Sequence, residues 1–459
     1  MKRILWFRRD LRVQDNPLLS LGEEILPIFI FDITILNTLQ KEDKRVSFIF
    51  SHVELLKQEL LACGLNLKVF YGTPSDVFDF LLSSCSFDEV VASGDYDSYA
   101  KKRDLQISHK LHFRYIQDTY IFKHDEVLKD DGSAYLVFTP FYKKARAILE
   151  HKNIEETYLT QNILIDENYN GITQIQKSGE VIVLDFRIES LGFEQVLENI
   201  INPHIKLENF QNKINNYKEQ RDYLNVNASS SISMDLRFGT IGVREVLRFV
   251  MELKGQDAEP FIRQLIFRDY YAYLLFHMPR IENENYKHSF NGIEDEQKFH
   301  AFCHGKTGVP IVDAGVRELL QTGNMHNRVR MVVASFFTKD LLLPWQWGER
   351  FFAQHLLDYD KASNVLSWQW SAGTGVDPQP YFRVFNPYLQ SKKFDKEGRY
   401  IKKYIPELES VESKFLHDEN YLLKTRIQDY PKPIVHHKEA AKEAINFFRY
   451  VNNQNTLKQ

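Results

Sequence analysis

The chain has 459 residues, 43% of them apolar, and a formal net charge of -4. That length exceeds what one core ordinarily supports and predicts two domains, while the charge excludes the broad basic field of a non-specific nucleic-acid binder, so any nucleic-acid contact must be a local patch. Three scattered cysteines, Cys63, Cys85 and Cys303, exclude a disulfide framework and a clustered metal site and fit a reducing compartment.

The opening residues MKRILWFRRDLR begin a charged, apolar strand and do not have the form of a signal peptide. No apolar run approaches the ~18–20 residues of a membrane span, so a cytoplasmic protein with no membrane partner is expected. The runs RILWF and ILPIFIFD, an amphipathic window at 45–63, and then LNLKVFYG, DEVVASGDY and FRYIQDTYIF alternate strand and helix patterns. This βαβ rhythm predicts a doubly wound parallel-sheet α/β domain over residues 1–125, whose ligand crevice should lie at the carboxyl ends of its strands. From 126 to 205 the pattern weakens through polar stretches such as TQNILIDENYNG, which reads as a connector. From 206 to 459 the windows GVREVLRFVMELK, PFIRQLIFRDYYAYLLFH, AGVRELLQTG, NRVRMVVASFFTKDLLL, WGERFFAQHLLD and HKEAAKEAINFFRY carry apolar residues at helical spacing and predict an all-α domain.

Three segments carry candidate chemistry. Ser229, Ser230, Ser231, Ile232 and Ser233 precede a helix, where hydroxyls and free N–H groups suit phosphate, although a solvated turn is the stronger reading of that loop alone. The window NMHNRVRM puts Asn327 and Met331 on one helix face with Arg330 beside it, which fits a ligand site or an exposed helix start equally well. In HLLDYDKASNVLSWQW, the carboxylates of Asp358 and Asp360 need a cation between them, for which Arg330 is the candidate, and Asn364, Trp368 and Trp370 follow. On residue types alone this last segment suits a ring-binding or a sugar-binding pocket. Trp345, Trp347, Trp368 and Trp370 crowd into 345–370, either as core filler or as a path for an electron.

Taken with LWFRRDLRVQDNPLL, GKTGVPIVDAGVREL and SWQWSAGTGVDPQPYFRVFNPYLQSKKFDKEGRYIKKYIPEL, these segments resemble the photolyase and cryptochrome family in order and spacing, from residue 1 to about 410. The resemblance implies α/β and helical domains, with FAD bound in a folded U-shape on the helical one. It implies a light-driven carbon–carbon lyase that returns cyclobutane pyrimidine dimers in DNA to intact pyrimidines, working as a monomer, or alternatively a blue-light receptor. Tyr223, Ser229 to Ser233 and Arg268 match positions around the FAD phosphates and ribitol, and Gln264 is placed beside the cofactor. Asn327, Arg330, Asp358, Asp360 and Asn364 match those around the flavin and adenosine, with Asn364 facing flavin N5. Trp368 and Trp345 match an electron-transfer pair whose distal third member is missing, Phe290 and Tyr286 being nearest in sequence. Gln264, Phe267, Asn327, Met331, Trp370 and Arg383 match contacts to the lesion and its backbone, and Lys392 and Lys393 extend that positive rim. Asn327 favours the cyclobutane lesion over the (6-4) photoproduct, where relatives carry His. The departures are Gln264 for a lesion-contacting Glu, Phe267 for a stacking Trp, and Asn324 for a Trp. Tyr99 and Ala100 stand where some relatives bind folate, which disfavours a folate antenna and leaves open a second chromophore of unspecified type, a deazaflavin or a second flavin, or no antenna.

Overall fold

Alternation of side chains is strict in the first two strands, β1 (Lys2–Phe7) and β2 (Glu23–Asp32). Leu5, Phe7, Ile25, Phe29 and Phe31 enter one apolar cluster, while Ile4, Trp6, Leu26, Ile28 and Ile30 enter another. Both faces of these strands are therefore buried, the environment that calls for near-continuous apolar runs and for parallel pairing covered by helices.

The computed structural model describes residues 1–160, 162–164, 171–197, 200–253, 255–288 and 290–456. It divides into two compact units: Met1–Ser133, Tyr142–Asn212 and Ser230–Phe276 form the first, and Ala134–Phe141, Lys213–Ser229 and His277–Gln459 the second. No helix among the described residues is long and apolar enough to cross a membrane.

The first unit is built on the sheet. After β1 and β2 come β3 (Lys68–Gly72), β4 (Glu89–Ser93), β5 (Phe113–Ile116), β6 (Asn162–Leu164), β7 (Ile172–Ile175) and β8 (Val181–Leu184). Their order is β5-β4-β1-β2-β3-β7-β8, with β6 paired to β2. Every pairing is parallel except that of β7 with β8. Pro27 has no N–H to donate, and it falls where β2 leaves β6 at Ile25↔Leu164 and meets β3 at Ile28↔Lys68. The stretch 126–205, expected to be a connector, contains helix Phe138–Leu149 and supplies β6, β7 and β8. Within it, residues 161, 165–170 and 198–199, including most of TQNILIDENYNG, lie outside the described residues.

Helices Ser233–Phe238, Val243–Glu252 and Glu259–His277 belong to the same unit as the sheet, apart from the last residue, His277. Gly239 ends the first of them at φ +67°, and a Cβ there would lie 1.9 Å from the carbonyl oxygen of Arg9, so only glycine permits the helix end to meet the loop after β1. On the last helix, Asp269 is 4% exposed and its Oδ2 accepts the N–H groups of Ile121 and Phe122 at 2.7 and 3.0 Å. Its Oδ1 has no hydrogen-bond partner among the described residues, and Arg268 Nη1 is 4.0 Å away.

The second unit is helical. Pro310–Thr322, Asn327–Ser335, Trp345–His355, Lys361–Ala372 and Arg399–Tyr404 surround a core containing Val312, Leu319, Val329, Val333, Phe337, Phe352, Trp368 and Ile401. The window NRVRMVVASFFTKDLLL predicts one helix, but the α-helix stops at Ser335 and a π-helical turn follows over Phe336–Asp340. Widening the helix there turns the polar side chains of Lys339 and Asp340 inward, where both find partners: Lys339 the Arg383 carbonyl, and Asp340 the imidazole of His437 at 2.5 Å. The C-terminal helix His437–Thr456 closes a smaller cluster of Phe290, Leu342, Ala444 and Phe448.

Burial pushes the Asp269 carboxyl up to about 7 from its ordinary 3.8. The folded chain therefore holds more protons at 269 than the unfolded chain between those values, and this residue's contribution to stability is lost as pH rises through about 7. Asp269→Asn keeps an oxygen for the two N–H groups and removes the charge. It should raise Tm by roughly 2–4 °C at pH 8 and leave it unchanged at pH 4; melts of both proteins at the two pH values, showing no difference in gain, would refute the account.

Candidate functional site

Helix Lys361–Ala372 organises the candidate residues of the second unit. Asp360 is its N-cap, accepting the Ser363 N–H and Oγ–H at 3.0 Å each, and Gly373 at φ +84° ends it. Asp360, expected at the cofactor, thus has a structural duty that its residue type explains. Asn364 and Trp368 lie four apart on one face and both are buried, while Trp370 is half-exposed.

The neighbouring helix Trp345–His355 is shaped to that face. A Cβ on Gly348 would sit 2.2 Å from Trp368 Cη2, so the smallest residue meets the largest. Phe337 and Phe352 meet the same indole edge-on, at centroid distances of 5.3 and 4.9 Å. The next residue, Glu349, takes both N–H bonds of the Asn364 amide, through its carboxylate Oε1 at 3.0 Å and its carbonyl at 3.1 Å. Two acceptors facing one amide require the nitrogen end, which leaves Asn364 Oδ1 as the end available to a ligand's N–H. Burial raises the Glu349 carboxyl above its ordinary value, and the Asn364 and Tyr359 hydrogen bonds oppose that shift.

Trp345 starts this helix, one turn before Gly348. Its indole N–H donates to Asn285 Oδ1 at 2.7 Å, and Asn285 Nδ2 donates to the Phe290 carbonyl at 3.3 Å. Phe290 is buried between His288, Phe448 and Tyr381, whereas Tyr286 is half-buried with Arg280 5.4 Å from its ring.

Helix Asn327–Ser335 begins at the His326 cap, which accepts the Arg328 N–H. Asn327 is exposed, with Met331 Sδ 3.9 Å from its amide nitrogen and half-buried. Arg330 Nη2 donates to both oxygens of Asp358, at 3.1 and 3.0 Å, while its Nε is held by the Met325 carbonyl at 2.7 Å. Asn324 Oδ1 lies 3.4 Å from the same Nη2. Tyr223 is 41% exposed, with Phe394 edge-on to its ring, and Ser229 is exposed. Arg383, Lys392 and Lys393 are all exposed.

The remaining candidates lie in the first unit. Ser231 and Ser233 are exposed, Ser230 is half-exposed and Ile232 is buried. Ser231 has φ +57°, an uncommon conformation for serine that turns the loop back before the helix. On helix Glu259–His277, Gln264, Phe267, Arg268 and Tyr271 share a half-exposed stripe, and Phe267 meets Tyr271 edge-on at 4.7 Å. The Arg268 guanidinium donates to the carbonyls of Thr119 at 2.7 Å and Leu236 at 3.0 Å and lies over the Tyr120 ring. At the carboxyl end of β2, the Tyr99 hydroxyl donates to Asp32, and Ala100 is buried with its N–H bound by Asp97.

Within the second unit the donor types suit parts of a flavin nucleotide: the exposed Ser229 hydroxyl suits phosphate or ribitol, the Arg330–Asp358 pair suits a ring that gains charge, and the Asn364 amide with a free acceptor end suits a ring N–H. Residue types suggested much of this, but Glu349, Gly348 and Asn285 were missed. Their partners stand many positions away, and no periodicity links Gly348 to Trp368.

Comparison with known proteins gives the family. Residues 3–158 match the model of DNA photolyase, and residues 261–450 match that of the FAD binding domain of DNA photolyase. A deoxyribodipyrimidine photo-lyase of Alkalihalophilus pseudofirmus is 33% identical, over 97% of this chain and 98% of its own. Among solved structures, a bacterial class III photolyase from Agrobacterium tumefaciens superposes with a TM-score of 0.80 at 28% identity, covering 98% of both chains. An archaeal photolyase from Sulfolobus tokodaii containing two FAD molecules gives 0.81 at 30% identity, covering 98% of this chain and 100% of its own. A Synechocystis cryptochrome gives 0.83 at 22% identity, covering 97% and 99%, and shows the fold alone. A parallel α/β sheet unit joined in one chain to a helical FAD-binding unit is the class these features define. The chain belongs to the DNA photolyase family.

Gly348→Ala should push the Trp368 ring out of its slot, because the methyl group has no room and both neighbouring rings are buried. The expected loss is about 1–3 kcal/mol, read as a lowered Tm together with a red-shifted tryptophan emission. A variant with the wild-type Tm and emission would contradict this packing.

Proposed function

We propose that the protein is a light-dependent lyase that splits cyclobutane pyrimidine dimers in DNA, with FAD as its resident cofactor. The observation that carries this reading is helix Lys361–Ala372, which directs an amide and an indole, Asn364 and Trp368, into the core and one indole, Trp370, toward solvent. FAD, when bound in its reduced form and excited by light, supplies the electron that opens the cyclobutane ring and takes it back afterwards, so no net redox change occurs.

The chain's own residues bind and orient. Trp370 offers a ring for a base flipped out of the duplex, and Asn327 and Met331 offer an amide and a soft apolar surface to the pyrimidine edge. Arg383, with Lys392 and Lys393, supplies positive charge for the backbone phosphates. On the first unit, Gln264 can hydrogen-bond a base edge without contributing charge, and Phe267 stacks with less area than a Trp. Repair should therefore proceed at reduced efficiency. Arg330, paired to Asp358, places a cation where a ring would carry negative charge. Asn364, its nitrogen end held by Glu349, would offer Oδ1 to a ring N–H. Trp368 and Trp345 are the residues we assign to electron delivery during activation.

For a second chromophore we disfavour folate. Tyr99 is bound to Asp32, and Ala100 brings no polar side chain to that place. Because an archaeal relative contains two FAD molecules, a second flavin is the first candidate to test by chromatography of released cofactors.

Gln264 and Phe267 favour a second reading, a blue-light receptor without repair. One experiment separates the two. The photoreduced protein is illuminated with an oligonucleotide carrying one thymine dimer, and lesion loss is followed by chromatography. Conversion to intact thymines in light only, reduced about fivefold or more by Trp370→Ala, is expected, since one lost base stack is worth ~1–3 kcal/mol. Absence of conversion with FAD bound and reduced would move the assignment to the receptor.

A further inference from the structure

Lys339 is fully buried at 0% exposure, a rare place for a lysine, and burial pushes its ammonium down to about 8. Its Nζ donates to the main-chain carbonyl of Arg383 at 2.9 Å. Gln379, itself 3% exposed, donates its side-chain N–H to the same carbonyl at 2.6 Å. The backbone N–H of Gln379 donates to the carbonyl of Trp370 at 3.1 Å. The loop is tied at two further points: the Arg383 N–H turns back to the Pro380 carbonyl at 2.9 Å, and the Phe385 N–H meets Ser335 Oγ at 3.3 Å. Between these ties Phe382 and Arg383 remain at the surface, Phe382 with 62% of its area exposed.

The arrangement is directional. Gln379 holds Trp370 with its backbone and Arg383 with its side chain, and Lys339 fixes the second of these to the π-helical turn of the core. A methionine would fill the space of Lys339 without the cost of burying a charge, so packing alone does not explain a lysine there. What lysine adds is a donor at the end of a long stem that reaches one loop carbonyl.

We propose that Lys339 and Gln379 are positioning residues that hold Arg383 at a set distance from Trp370, so that a base on the indole and a nearby phosphate at the guanidinium are engaged together. This rests on the reading of Trp370 and Arg383 as base and phosphate contacts given above. Two flexible contacts would lose affinity to the entropy of ordering the loop on binding, and the clamp removes that loss in advance.

The test uses the full-length, FAD-loaded protein with Lys339→Met, Gln379→Leu, Arg383→Ala and the Lys339→Met/Arg383→Ala double variant. Affinity for an oligonucleotide carrying one thymine dimer is measured by fluorescence anisotropy, and trypsin cleavage after Arg383 reports on loop order. Lys339→Met should keep its Tm, speed cleavage after Arg383 severalfold, and weaken DNA binding about fivefold to tenfold, close to the loss of one phosphate contact. In the Arg383→Ala background it should have no further effect on affinity. Unchanged cleavage and affinity in both Lys339→Met and Gln379→Leu would overturn the proposal, as would an equal loss of affinity with and without Arg383. If Arg383→Ala alone leaves affinity unchanged, the phosphate reading of Arg383 fails, while cleavage still decides whether the clamp exists. Should Lys339→Met fold poorly, Gln379→Leu, which removes the other donor to the same carbonyl, takes its place.

Discussion

Gly348 lies directly against the Trp368 indole, and the helices Trp345–His355 and Lys361–Ala372 can pair this closely because position 348 carries no side chain. Much of the helical unit's chemistry depends on that contact. It brings Glu349 within 3.0 Å of the Asn364 amide, sets which end of that amide is free, and places Trp345 one turn away with its N–H fixed by Asn285. Packing density, more than any charged pair, decides where the amide and the indoles sit, because a close-packed interior leaves a ring of that size one position.

Charge is arranged around this packed centre in the way buried charge must be, each group with a partner. Arg330 shares Asp358, Asp340 meets His437, and Lys339 meets a carbonyl. The sheet unit follows the same rule at the carboxyl ends of its strands, where a doubly wound fold is expected to bind ligands. There Arg8 pairs with Asp104, Arg9 with Asp95 and Arg12 with Asp118, and the guanidiniums of Arg8 and Arg103 each lie 4.8 Å from the Trp6 ring. The arginines following β1 are thus engaged with the helix Ser98–Ser108 and with the loops after β4 and β5.

The departures from the family pattern fall on surfaces and leave the packed centre intact. On the proposed function, Gln264 and Phe267 change what a lesion would touch, while Asn364 and Trp368 stay buried and Arg330 stays paired to Asp358. A chain altered in this way should hold its cofactor normally and differ in what it does with DNA.

Sequence alone was enough for the elements whose pattern is local. Alternating runs gave β1 to β5, helical spacing gave the large helices of the second half, and the motif around Trp368 and Trp370 gave the family, since these depend on neighbours a few positions apart. The strands β6 to β8 were not legible, because they are three or four residues long and Val181 and Val183 of the sheet's edge face solvent. Nor was the π-helical turn at Phe336–Asp340, where a continuous helical pattern is overruled by partners for Lys339 and Asp340 that come from positions 383 and 437. The amide orientation of Asn364, the slot at Gly348 and the clamp on the Arg383 loop belong to the same group. Each is a pairing between residues distant in the chain, which composition and periodicity cannot encode and only the folded arrangement decides.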